Sequence, residues 1–70
     1  MLKIGFIGAG NMGYALAKAV KNSAVDTRIY ISNRTKEKAE KVASELGILA
    51  STNEEIAENG DIIFFAVKPN

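Results

Sequence analysis

The sequence contains no cysteine and no histidine. A disulfide framework and an ordinary zinc site are therefore excluded as sources of stability. So is a nucleophile activated by a neighbouring imidazole, and nothing else in the chain pairs with the serines. A chain of 70 residues buries roughly 60% of the surface its unfolded form exposes. Without a covalent or metal staple it must fold by packing alone or with outside help. An excess of one charge is also lacking. A formal net charge of +1, with Lys and Arg scattered along the chain, offers no footprint for a nucleic-acid backbone or an anionic membrane surface. Neither partner is expected. The longest apolar runs are too short to span a bilayer, and Met1 leads directly into a strand pattern with no basic region or cleavage site. A soluble, cytoplasmic protein is expected.

What the chain has instead is a regular alternation of β-rich and helical segments. Leu2 to Ile7 is a β-rich run ending at Gly8, and Asn11 to Asn22 carries Met12, Leu16, Ala19 and Val20 on one face at helical spacing. Arg28 to Ser32 alternates as a strand, and Thr35 to Leu46 carries the stripe Ala39, Val42, Ala43 and Leu46. Thr35 stands where an N-cap belongs, and Gly47 where a left-handed C-terminal residue belongs. Ile48 to Ala50 predicts a short third strand. "TNEE", from Thr52 to Glu55, matches a capping box opening a helix that runs to about Asn59 and stops at Gly60.

The last run, Ile62 to Ala66, is apolar throughout and reads as a strand of a parallel-sheet interior. The order βαβαβαβ with short connections implies one α/β unit, a Rossmann-like doubly wound parallel sheet with helices on both faces and strand order 3-2-1-4. The fourth strand then lies on the open side of the sheet. A fifth strand and a further helix would normally cover it, so the chain is expected to be the first part of a longer protein.

The stretch "GFIGAGNMG" sets Gly8, Gly10 and Gly13 in the spacing G-x-G-x-x-G, directly after a strand and opening a helix. Gly8 permits a tight turn, Gly10 lets the backbone approach a pyrophosphate without a Cβ in the way, and Gly13 lets helix and strand pack closely. The pyrophosphate would rest on the helix start, on the N–H groups of Asn11 and Met12. Glycines at such a turn can also serve geometry alone. The strand before and the helix after are the context that favours dinucleotide binding.

The residue that selects the dinucleotide stands at the end of the second strand, where an acid would receive a 2′-hydroxyl. The chain reads "SNRT" there. Arg34 offers a cationic fork matched to a 2′-phosphate, and Ser32, Asn33 and Thr35 can add hydrogen bonds. NADP(H) is therefore expected ahead of NAD(H). The alternative is that Arg34 is a solvated charge and Thr35 only an N-cap. "AVKP", Ala66, Val67, Lys68 and Pro69, leaves the fourth strand at the edge of the crevice where a dinucleotide lies, or simply ends the strand. Asn53 reads equally as a helix cap. Tyr14, Tyr30, Phe6, Phe64 and Phe65 read as core or interface, and Glu54, Glu55 and Glu58 as a charged helix face.

"GFIGAGNMG", "SNRT" and "DIIFFAVKP" together resemble the N-terminal cofactor domain of the pyrroline-5-carboxylate reductases, over essentially the whole chain. The glycine motif is shared with many dehydrogenases, including the 3-hydroxyisobutyrate and 6-phosphogluconate group, but "AVKP" is more characteristic of the pyrroline reductases. The resemblance implies NAD(P)H-dependent reduction of the imine 1-pyrroline-5-carboxylate to L-proline. It implies pyrophosphate contacts from Ile7, Gly8, Ala9, Gly10, Asn11 and Met12, and adenosine contacts from Ser32, Asn33 and Arg34. It adds a cofactor contact from Asn53, and places Ala66, Val67, Lys68 and Pro69 beside the nicotinamide ribose.

It further implies a helical C-terminal domain that binds substrate and forms a homo-oligomer. That domain is absent here, so these residues alone are expected to be inactive. The exposed fourth strand is expected to favour self-association. A hydroxyacid dehydrogenase domain and a non-catalytic nucleotide-binding module are the alternatives.

Overall fold

The computed structural model describes residues 2–8, 10–23 and 26–66. Its elements follow the order β1 (Leu2–Ile7), α1 (Asn11–Lys21), β2 (Thr27–Ser32), α2 (Lys36–Leu46), β3 (Leu49–Ala50), α3 (Asn53–Asn59) and β4 (Ile62–Phe65). The strands form one parallel sheet in the order β3-β2-β1-β4. Among the described residues no helix is long and apolar enough to cross a membrane.

The period of two along each strand sorts the side chains to the two faces. Ile4 and Phe6 of β1 lie in register with Ile29 and Ile31 of β2. All four are buried in one cluster with Ala17 of α1 and Ala39, Val42 and Ala43 of α2. The opposite face, carrying Gly5 and Ile7, receives α3, whose buried side chain is Ile56. A Cβ on Gly5 would lie far inside contact distance of Ile56 Cγ2 and 3.3 Å from Ile56 Cβ. A β-branched side chain held by its own helix cannot swing aside. Gly5→Ala is therefore expected to destabilise the fold by about 1–3 kcal/mol. An unchanged thermal melt would show that α3 is free to shift.

The helix termini follow the punctuation in the sequence. Gly47 adopts the left-handed conformation (φ 69°, ψ 35°) at the end of α2, and the following Ile48 N–H reaches back to Ala43 O at 2.9 Å. Thr52 caps α3, its hydroxyl oxygen accepting from the Glu55 N–H at 3.1 Å. The box is only half formed: the Glu55 carboxylate accepts from Ser51 Oγ instead of from the cap residue's N–H. Thr35 holds the N-cap position of α2 but makes no side-chain cap bond.

The buried face of α1 differs from the expected one. Met12, at 67% exposure, Leu16 and Ala19 face outward, while Gly13 and Ala17 are buried and Tyr14 and Val20 pack against the cluster. The cause is the turn before the helix, which brings α1 too close to β1 for anything but small residues along the contact. β4 occupies the open side of the sheet. Phe64 stacks on Phe6 with ring centroids 5.2 Å apart, and Phe65, 71% exposed, lies outside the core.

Candidate cofactor-binding site

The carboxyl ends of β1, β2 and β4 meet at the glycine turn. β1 runs out at Ile7 and the chain reverses through Gly8, whose φ of 111° an L side chain rarely adopts. The Gly8 N–H donates to Ser32 O at 2.7 Å, tying the turn to the last residue of β2. On the other side the Ala66 N–H donates to Ile7 O at 2.8 Å. Gly13 presses into this corner. A Cβ there would collide with the Gly8 carbonyl oxygen and stand 3.3 Å from Ala66 Cβ.

Gly10 differs from its two companions. It holds the N-cap position of α1 at φ −76° and ψ −170°, extended backbone that any residue adopts, and a Cβ there would meet nothing within 4 Å. The fold accounts for Gly8 and Gly13, whereas at Gly10 the space is left open above the helix start. The first N–H groups of α1 have no partners within the helix. Gly10 has no side chain to cap them, and no acidic residue stands in the first turn. Open space, unpartnered donors and the positive end of the helix dipole suit a pyrophosphate. The residues present therefore fit a dinucleotide.

A cleft of about 510 Å³ opens at the ends of β2 and β3, lined by Ser32, Asn33, Arg34, Lys36 and Asn53 among others. The Ser32 hydroxyl, buried, donates to Asn53 Oδ1 and so joins the end of β2 to the first residue of α3. Arg34 and Lys36 are exposed and bring two cations to the cleft, but Glu40, Glu54 and Glu55 line it as well.

The structure thus gathers Gly8, Gly10, Gly13, the backbone of Asn11 and Met12, Ile7 and Ala66 at the turn, and Ser32, Asn33, Arg34 and Asn53 at the cleft. Thr35 does not line the cleft: it starts α2, and its carbonyl accepts from Asn33 Nδ2 at 3.3 Å. Asn53 is not the cap of α3, which is Thr52. Ala9, Val67, Lys68 and Pro69 lie outside the described residues. Lys36 was not anticipated. A second cation two positions after Arg34 is visible in the sequence, but no local pattern there ties it to the end of β2.

The sequence matches the model of the family described as NADP oxidoreductase, coenzyme F420-dependent, over residues 3–70. It is 35% identical to a pyrroline-5-carboxylate reductase of Aquifex aeolicus over 69 residues, covering 97% of this chain and 26% of that protein. The corresponding values for the pyrroline-5-carboxylate reductase of Escherichia coli are 37% over 70 residues, 96% and 26%. Among solved structures, the glutamyl-tRNA reductase from Methanopyrus kandleri superposes with a TM-score of 0.79 at 28% identity, over 97% of this chain and 18% of that one. The resemblance read from the three sequence motifs is borne out by the two pyrroline-5-carboxylate reductases, although the chain spans about a quarter of their length. Because the family match takes in both the glycine turn and the cleft after β2, this pyridine-nucleotide domain belongs to the NADP oxidoreductase, coenzyme F420-dependent, family.

Proposed function

We propose that the chain is the NADP(H)-binding part of a pyrroline-5-carboxylate reductase, an enzyme that reduces 1-pyrroline-5-carboxylate to L-proline. The observation that carries the reading is Gly10, whose missing side chain leaves open space where α1 offers N–H groups with no partner in the helix. The likeness to pyrroline-5-carboxylate reductases along nearly the whole chain supports the substrate.

In this reading the bound nicotinamide supplies the hydride. The chain's own residues bind and orient. The start of α1 holds the pyrophosphate through main-chain donors, and Gly13 keeps the helix close enough to β1 to aim them. Arg34 and Lys36 meet a 2′-phosphate, which favours NADP(H) over NAD(H). Ala66, hydrogen-bonded to Ile7 at the turn, is assigned to the nicotinamide half on the strength of the resemblance. Reduction also requires the imine to be held at reacting distance from the nicotinamide.

Titration of the chain with NADPH and NADH by calorimetry tests the reading, with Gly10→Ala as the control. Gly10→Ala is expected to lower the melting temperature only slightly, since its Cβ enters open space and alanine is merely the poorer N-cap, and to weaken NADPH binding by about tenfold or more by occupying the approach to the pyrophosphate. Equal binding by the two proteins would remove the main support. The substrate is decided in the whole enzyme by comparing pyrroline-5-carboxylate reduction with hydroxyacid oxidation.

A further inference from the structure

Ser32 is the buried polar side chain of the described core, only 2% exposed. It is joined to both halves of the site. Its main-chain carbonyl accepts the Gly8 N–H of the glycine turn, and its hydroxyl donates to Asn53 Oδ1. A serine hydroxyl has one proton to donate. With that proton on Asn53, Ser32 has none to offer a ligand.

Asn53 stands differently. It is exposed, lines the cleft, and opens α3 one residue after the Thr52 cap. Because the Thr52 cap holds the start of the helix, the main chain of Asn53 is placed without help from Ser32. What Ser32 controls is the direction of the amide. With Oδ1 held against the strand end, the group left to the cleft is Nδ2 with its two N–H donors. Turned over, the same amide would set Oδ1 against the phosphate oxygens of a dinucleotide, which only accept.

The geometry points to Ser32 as a positioning residue that orients the Asn53 amide so that Nδ2 donates to an acceptor oxygen of the bound dinucleotide. This rests on the dinucleotide reading above. The contact from Asn53 is the one the resemblance implies; what is new is the indirect role of Ser32, which reaches the ligand only through that amide.

Two substitutions separate this role from a structural one. Asn53→Asp keeps an oxygen to accept from Ser32 and removes the donor, so the melting temperature is expected to hold while NADPH affinity falls by about tenfold or more. Ser32→Ala frees the amide to turn and is expected to weaken NADPH binding by about fivefold, the worth of one hydrogen bond. In ¹H–¹⁵N spectra of the unsubstituted chain, the Asn53 side-chain NH₂ pair is expected to shift on NADPH addition. If Ser32→Ala fails to fold, Asn53→Asp and the NH₂ pair decide. NADPH binding by a folded Ser32→Ala, or by Asn53→Asp, equal to that of the unsubstituted chain, or an NH₂ pair that does not respond, would overturn the role of Ser32 while leaving the dinucleotide reading in place. An unsubstituted chain that binds neither NADPH nor NADH would overturn both.

Discussion

Gly13→Ala is expected to lower the melting temperature by about 10 °C or more, although alanine is the better helix former by about 1 kcal/mol. The steric term wins because of what surrounds the new methyl group. It would collide with the Gly8 carbonyl oxygen and stand 3.2 Å from the Gly8 carbonyl carbon. Neither is a side chain that can rotate away, and Gly8 is itself tied to Ser32 through a 2.7 Å hydrogen bond. Ala66 Cβ, at 3.3 Å, blocks the other direction. Helix α1 must therefore move off the turn, and Ala17 moves with it, out of the cluster it shares with Ile4 and Phe6. Overpacking of this kind costs about 1–3 kcal/mol or more, and in a small domain each kcal/mol shifts the melt by about 4–8 °C. Gly10→Ala is the matched control: the same change, three residues earlier, into open space. Coincident melts for the two variants, followed by circular dichroism, would show that the turn has slack the packing does not reveal.

The double variant Arg34→Ala/Lys36→Ala is expected to bind NADPH about thirtyfold more weakly while NADH binding changes little. A 2′-phosphate is the only chemical difference between the two ligands, so a residue that meets it affects one and not the other. Charge-assisted hydrogen bonds to phosphate are among the stronger polar contacts. Two features of the cleft hold the effect down. Both cations are exposed and screened by solvent and salt, and Glu40, Glu54 and Glu55 line the same space. The NADPH preference should accordingly shrink as salt is raised. Parallel calorimetric titrations with the two nucleotides at low and high salt check this, and an equal loss of NADH affinity would assign the two cations to the pyrophosphate or to folding.

How much of this was legible beforehand follows the range of each interaction. Gly47 at the end of α2 and Thr52 at the start of α3 were readable because a helix end is punctuated by residues within one turn of it. The parallel order of the sheet was readable because a short helical crossover leaves little choice of direction or hand. The inward face of α1 was not. Met12 and Leu16 satisfy helical spacing as well as Gly13 and Ala17 do, and a hydrophobicity pattern prefers the larger pair. The close approach at Gly8 selects the smaller.

The glycine spacing and the strand before it specify a dinucleotide turn, and the absence of an acid after β2 is what raises the expectation of NADP(H), because each is a matter of a few consecutive residues. The bond between Ser32 and Asn53 spans 21 positions, and the arrival of Lys36 in a cleft bounded by α3 depends on how two crossovers are packed. Such pairings carry no local pattern. They exist because burial of the two apolar faces sets the strands in register and brings the ends of β2 and β3 together, leaving the polar residues there to find partners across the sheet.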